Sequence, residues 1–263
     1  MSAHQRRETL PGVPRGAIRP YPCVRVLECD PELGLRLPPD QITTARAALV
    51  APVVTLPRGV WEPPSEASPR DLGFLVLDGL LGHDVVLAGT TATELLGPGD
   101  VLHPFTTAEE EGLLRYHVLW EVLEPVRLAV LDESFARKLA TWPQVMRSLL
   151  ERALRRSLRV SLHAALLQLS PVETRILMML WLLAERWGRV TPAGVVLPLR
   201  LSHQQLGQLV GCRRASVTTA LHRVEESALV ARRPDRTWLL RGSPPDELAH
   251  VQWAQRGLEQ LTA

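Results

Sequence analysis

At Asp132 the apolar residues stop recurring at a period near 2 and begin recurring at a period near 3.6. Side chains alternate across a strand but line one face of a helix every third or fourth residue, so sheet is expected before that point and helix after it. From about residue 22 to 131, short runs rich in Val and Leu (VRVLE, LVAPVVTL, LGFLVLDGLL, DVVLAG, LLGPGDVL, YHVLWEVLEPVRLAVLD) are separated by Gly, Pro and Asp. That spacing predicts an antiparallel β sandwich or barrel, with Gly82-His83-Asp84 and Gly97-Pro98-Gly99-Asp100 as tight turns. Residues 1–21 carry Pro11, Gly12, Pro14, Gly16 and Pro20 and are expected to form a tail without regular structure.

Beyond Asp132 a short helix is expected over Glu133 to Ala140, then a break at Trp142-Pro143, then a long helix to about Gln168. The long helix sets Met146, Leu149, Leu150, Ala153, Leu154, Leu158, Leu162 and Leu166 against Arg147, Arg152, Arg155, Arg156 and Arg159. Its apolar stripe suits pairing with the same helix of a second copy, or packing on the β half of its own chain. Ser170-Pro171-Val172-Glu173 reads as a capping box that opens another helix through ILMMLWLLAERW, and VTPAGVVLPLRL reads as a hairpin turning at Pro192-Ala193-Gly194.

Charge divides the chain in the same place. Residues 1–144 hold 13 Lys and Arg against 19 acids, whereas residues 145–241 hold 16 Arg against 6 acids. A basic segment beside an acidic one is the pattern of a nucleic-acid-binding part joined to a different domain; a solvated arginine-rich helix is the plainer alternative. Three cysteines, Cys23, Cys29 and Cys212, with no C-x-x-C pair, argue against a disulfide scaffold, structural zinc or an iron–sulfur cluster, and no metal site is expected. The first residues lack the apolar stretch of a secretory signal and no long uncharged apolar window follows, so the expected place is the cytoplasm, without membrane contact.

The segment SHQQLGQLVGCRRASVTTALHRVEES spells two helices about a turn. Ser202 is positioned to cap the first, which buries Leu206, Leu209 and Val210; Gly211-Cys212 turns the chain; the second begins near Arg213 or Arg214 and buries Val217, Ala220, Leu221 and Val224. Gly207 costs about 1 kcal/mol against alanine in a helix, a cost that fits a close crossing at that point. The outward face then gathers Arg213, Arg214, Ser216, Thr218, Thr219, His222 and Arg223 near the start of the second helix, the half that would enter a major groove. LVARRPDRTWLL follows as a two-stranded wing turning at Pro234-Asp235, with Arg232, Arg233 and Arg236 placed to reach phosphates.

On these residues the chain resembles transcription regulators of the CRP/FNR family, the cyclic-AMP receptor protein type. LSHQQLGQLVGCRRASVTTALHRVEESALV is similar to that family's L-T-x-x-x-L-A/G-x-x-V-G-x-x-R-x-x-V-x-x-x-L-x-x-L-x-x-x-G-L-I, and the order of parts agrees along nearly the whole chain. The resemblance implies an α+β protein: an N-terminal antiparallel β-roll of jelly-roll type over 22–131, a helix pair with a dimerisation helix over 132–169 and a winged helix-turn-helix over 170–242. The residues themselves add a helix over 243–263, opened by Ser243-Pro244-Pro245-Asp246 and carrying Leu248, Val251, Trp253, Leu258 and Leu261. The resemblance also implies a homodimer on a palindromic operator in double-stranded DNA, with RNA polymerase as a further partner and no catalytic residues. Arg214 falls on the family's base-reading arginine. Ala215 stands where the cyclic-AMP receptor has a glutamate and Thr219 where it has a second arginine, so a different operator is implied. Base reading is thus expected from Arg214, Ala215, Thr218 and Thr219, and backbone contact from Ser202, Gln204, Arg213, Ser216, Arg223, Arg232, Arg233 and Arg236.

For the β half the resemblance raises a cyclic nucleotide as cofactor, and the residues speak against it. LLGPGDVL matches the family's turn, but His103-Pro104 stands where Gly-Glu is expected and Tyr116-His117-Val118 where Arg-Ser-Ala is expected. Glu109, Glu110 and Glu111 would repel a phosphate. A degenerate or altered effector pocket is the reading that follows. The alternative within the class is a cyclic-nucleotide-responsive regulator in which Arg115, beside Tyr116 and His117, takes the phosphate; outside it, a cupin-like enzyme with an appended regulatory domain would need a metal triad or paired carboxylates that the β half does not supply.

Overall fold

The computed structural model describes residues 22–64, 70–104 and 114–244. The expected tail, Glu109 to Glu111 and all but the first two residues of the expected C-terminal helix lie outside the described residues. The chain divides into two compact units, residues 1–158 and 159–263.

In the first unit the strands run β1 (Cys23–Arg25), β2 (Val50–Leu56), β3 (Gly59–Trp61), β4 (Gly73–Leu87), β5 (Thr90–Leu96), β6 (Val101–Leu102) and β7 (Tyr116–Leu131). They form one antiparallel sheet in the order β1-β2-β7-β4-β5, with β3 on β7 and β6 on β4. The long strands β4 and β7 are its spine, paired from Gly73↔Leu131 to Leu87↔Tyr116. The sheet is buried on both faces near Phe74-Leu75-Val76 and Leu128-Ala129-Val130, which is why those segments read as unbroken apolar runs. Phe74, Val76, Leu128 and Val130 face an interior shared with Trp61, Trp120 and Leu96; Leu75 and Ala129 face a second core.

That second core is made by helices absent from the expected all-β reading of residues 22–131. After three residues of strand, VRVLE turns into α1 (Val26–Cys29), and α2 (Pro39–Ala48) follows. Val26, Leu27, Leu33, Leu37, Ala45 and Leu49 pack on the sheet together with Phe135 and Leu139 from α3 (Glu133–Leu139) and Trp142, Val145 and Leu149. The expected turn at Gly82-His83-Asp84 is also corrected. These residues lie inside β4, paired with Glu121, Trp120 and Leu119. The chain bends instead at the register shifts around Asp78 and Leu80, and it reverses at Ala88-Gly89, whose φ values of 49° and 76° give the mirror-image turn a two-residue hairpin needs. Gly97 to Asp100 does form the other turn, closed by Asp100 N–H on the Gly97 carbonyl and Gly97 N–H on the Asp100 carboxylate.

Asp132 caps α3 by accepting from Phe135 N–H, and the break at Trp142-Pro143 leads into α4 (Pro143–Leu166). Two arginines fasten α4 to the first unit. Arg152, buried at 9% exposure, donates to both oxygens of Asp30 and to the Gly99 carbonyl. Arg156 grips Glu94 of β5 through Nε and Nη2 at 2.9 and 2.8 Å.

The second unit holds α5 (Val172–Trp187), the hairpin β8 (Arg189–Thr191) and β9 (Gly194–Leu197), α6 (His203–Val210), α7 (Arg214–Glu226), and the hairpin β10 (Val230–Arg232) and β11 (Trp238–Leu240). The hairpins join into one sheet, β10-β11-β9-β8. The expected capping box at Ser170 does not form. Pro171 is extended at the cap position, so α5 starts one residue later, and the Glu173 carboxylate bonds Arg223 instead.

Burial pushes the Glu94 carboxyl up, but hydrogen bonds from His83 and Arg156 and the Arg156 charge outweigh it and pull it down to about 2 from an ordinary 4.5. The folded carboxyl therefore titrates below the unfolded one, so its contribution is complete above pH 4.5 and is lost as pH falls towards 2. Glu94→Gln is expected to lower the stability of the first unit by about 2 to 3 kcal/mol at pH 7. Urea unfolding between pH 7 and pH 2 should converge for the two proteins in acid; a constant gap across that range would refute the assignment.

Candidate nucleic-acid interface

The face presented by α7 is decided by what it buries. Val217, Ala220, Leu221 and Val224 are 0 to 5% exposed, in the core with Leu206, Leu209, Val210 and Ile176. The helical period then leaves Arg214, Ala215, Thr218 and Thr219 exposed together, with Arg213 at the cap position and Ser216 beside them. The four expected base readers thus share one exposed face over the first two turns of α7.

The turn before α7 is equally determined. Ser202 Oγ accepts from Gln205 N–H while the Gln205 side chain accepts from Ser202 N–H, a reciprocal capping box that starts α6. Gly211 ends it in the left-handed conformation at φ 64°. A Cβ on Gly207 would come within 2.6 Å of the Cys212 carbonyl and 3.4 Å of Val217, so the close approach expected at this glycine is real and involves the turn more tightly than the second helix. Arg175 Nη1 donates to the Val210 carbonyl at the end of α6.

The expected backbone contacts fall into two groups. Gln204, Arg213, Ser216 and Arg236 are exposed, and Arg236 adopts φ 70° at the wing tip. The other arginines are engaged within the protein. Arg223 donates to Glu173 at 2.6 Å, and Arg233 donates to Thr237 Oγ1 at 3.2 Å and lies 3.3 Å from Asp235. Asp235 in turn accepts from the Thr237 hydroxyl and N–H, which hold its carboxyl below the usual carboxylate range and pin the wing turn. Arg232 lies over the Trp238 ring, 5.3 Å from its centroid, with Nη1 3.3 Å from His203 Nε2. His203, in the first turn of α6, also reaches Thr218 Oγ1 at 3.0 Å. No spacing rule links His203 to residues 15 and 29 positions away, so its place escapes a reading of the sequence.

In the first unit, Tyr116 and His117 open β7 at the end of the β4 ladder, opposite Leu87 and Val86, and Arg115 is exposed just before them. Strand alternation places Tyr116 on the face of Val118 and Trp120, and His117 on the other. A partly buried cation of this unit, Arg156, is bound to Glu94. Among the described residues no group of three His, Cys, Asp or Glu is placed to hold a metal ion, and no helix is long and apolar enough to cross a membrane.

Residues 174–242 match the Crp-like helix-turn-helix domain family. Over 117 residues the chain is 28% identical to the global nitrogen regulator of Synechococcus elongatus, a stretch that makes up 44% of this chain and 52% of that protein. The chain thus spans about half the length of that relative. Among solved structures, a CRP-family transcriptional regulator from Thermus thermophilus is similar at a TM-score of 0.54, with 22% identity, over 72% of this chain and 92% of that one. A cyclic nucleotide-binding domain containing protein from Listeria monocytogenes is similar at a TM-score of 0.60, with 17% identity, over 80% and 96%. These structural likenesses establish the fold, an α+β arrangement of antiparallel sheet, long helix and winged helix-turn-helix.

Gly207→Ala puts a methyl group against the Cys212 carbonyl and is expected to lower the stability of the second unit by about 1 to 3 kcal/mol. Thermal unfolding of the full chain measures it; an unshifted transition would mean that the turn relaxes around the added methyl.

Proposed function

From a chain with a Crp-like helix-turn-helix domain and the fold of CRP-family regulators, we infer a dimeric, sequence-specific DNA-binding transcription regulator with an altered effector pocket. One observation carries this reading. Arg214, Thr218 and Thr219 share the exposed face of the N-terminal half of α7, with Arg213 at its cap position and Ser216 beside them, while the opposite face is buried to 5% exposure or less. A helix packed only for stability has no need of two arginines and three hydroxyls gathered at its start. For a helix in the major groove the composition has a purpose: guanidinium forks match guanine O6 and N7, hydroxyls reach bases or phosphates, and the helix N-terminus attracts a phosphate.

The second copy is supported by α4, where Met146, Leu150, Leu154 and Leu158 recur every four residues and are 38 to 60% exposed. Apolar side chains so exposed on one stripe are suited to a facing stripe of the same kind. Two recognition helices related by a two-fold axis would then lie one helical turn of DNA apart, about 34 Å, on a palindromic site. RNA polymerase is the partner such a regulator acts on, and the cytoplasm is where it would meet it. On this reading the chain is a regulator rather than an enzyme.

An altered effector pocket is supported by the interior ion pair. A cyclic phosphate needs an available guanidinium, whereas Arg156 is bonded on two edges to Glu94, and a carboxylate at that place repels an anion.

Selection of bound sequences from random duplex DNA, at one salt concentration and with or without cyclic AMP, tests the whole reading. A palindromic motif recovered equally in both is the expected result; a motif that needs the nucleotide would overturn the pocket assignment, and no motif would overturn the DNA-reading assignment. Against the recovered site, Arg214→Ala should cost about 1 to 3 kcal/mol and relax one base position, whereas Arg236→Ala should weaken all sequences alike and lower the salt slope by about 1. Leu154→Glu should shift the protein to monomer in light scattering, and a dimer that survives it would place the pairing surface elsewhere.

A further inference from the structure

His203 stands between the wing and the recognition helix and touches both. Its Nδ1 is 3.0 Å from Thr218 Oγ1 on α7, and its Nε2 is 3.3 Å from Arg232 Nη1 on β10. The protons on this chain of contacts follow from counting donors. Thr218 has one hydroxyl proton, and it is directed at the Arg214 carbonyl 3.1 Å away in its own helix. The contact with His203 must then be made by an Nδ1–H that donates to the threonine. Arg232 carries only donors, so its contact needs a lone pair on Nε2. One neutral tautomer, Nδ1–H with Nε2 bare, satisfies both. The surroundings hold the ring neutral: burial first, then the charges of Arg232 and Arg214, push its pKa down against a smaller upward pull from Glu225.

This arrangement fixes what Thr218 can offer outward. Its proton is taken by Arg214 and one lone pair by His203, which leaves a second lone pair on a hydroxyl that can no longer rotate. A hydroxyl free to turn bonds donor or acceptor alike; one held in this way is an acceptor only. In the major groove the exocyclic amines, N6 of adenine and N4 of cytosine, are the donors. Resting on the DNA-reading function proposed above, we propose that His203 is a positioning residue that sets Thr218 to read an amine-bearing base and docks the wing onto the recognition helix through Arg232.

Two substitutions separate the two arms, because asparagine places an amide where Nδ1 stands and glutamine places one where Nε2 stands. Full-length wild type, His203→Asn, His203→Gln and Thr218→Val are each put through random-duplex selection and then direct binding, with thermal unfolding as a check on folding. Thr218→Val identifies the operator position that Thr218 faces, where the wild type should prefer adenine or cytosine. His203→Gln should lose that preference by about tenfold at that position alone. His203→Asn should keep it while binding all sequences more weakly, since only the Arg232 arm is lost. A wild-type motif whose preference at that position survives His203→Gln overturns the proposal and leaves the DNA-reading assignment standing. Equal loss of all binding in both variants also overturns it, by making His203 a structural residue only. A wild type that selects no motif overturns both.

Discussion

The burial of one face of α7 governs the rest of the second unit. Val217, Ala220, Leu221 and Val224 have places in the core, and at 3.6 residues per turn nothing else about the helix is free. The same rotation that seats Val217 against Gly207 turns Arg214 and Thr218 to solvent. The Gly207 contact sets how near the turn can come, the capping box at Ser202 sets where α6 begins, and Gly211 sets the angle at which the chain leaves it. A few groups of the turn thus orient a surface that they do not belong to.

Electrostatics give the first unit a comparable economy and correct the simplest reading of the charges. Counted along the chain, the arginines after residue 144 look like a field aimed at nucleic acid. In the structure Arg152 and Arg156 belong to the first unit, bound to Asp30 and Glu94, while Arg223 and Arg233 are paired within the second. Pairing acids of one segment with arginines of a distant one holds α4 on the sheet, and it also removes those arginines from any count of phosphate contacts. Of the arginines expected to contact DNA, Arg213, Arg214 and Arg236 stay exposed.

Legibility in the sequence followed the range of the interactions. The helix-turn-helix was readable almost to the residue because its determinants are local: a cap three residues from its partner, a glycine at a left-handed turn, an apolar stripe of one period. The change of fold class at Asp132 was readable for the same reason, as its side chain caps α3. The helices of residues 26–48 were not, since apolar runs of four or five residues suit a strand and a buried helix equally and only the sheet face they cover decides between them. Gly82 misled because a glycine beside polar residues suits a turn, whereas here it sits inside the long β4–β7 ladder opposite Glu121. Glu173 had the right spacing for a cap, yet it found Arg223, fifty positions away, instead. Among the site residues, Arg214, Thr218 and Thr219 came from helical period, and His203 is invisible to any period, since its partners lie on other elements.

Hydrogen-bond polarity sets what the exposed face of α7 can offer a ligand. Thr218 donates its proton to the Arg214 carbonyl and Thr219 donates its proton to the Ala215 carbonyl, so both hydroxyls turn lone pairs outward. Arg213 and Arg214, one turn earlier, have only donors to give. The helix therefore presents donors at its start and acceptors one turn on, about 5.4 Å along its axis. A base-pair sequence that complements it places acceptors, the O6 and N7 of guanine, towards the helix N-terminus, and amine donors of adenine or cytosine beyond them. On the proposed reading, the acceptor role that the resemblance gives to a glutamate at position 215, here Ala215, would fall to threonine hydroxyls, Thr218 held by an imidazole and Thr219 by its own helix. A neutral acceptor in place of a charged one discriminates less steeply between bases but does not repel the phosphates on either side.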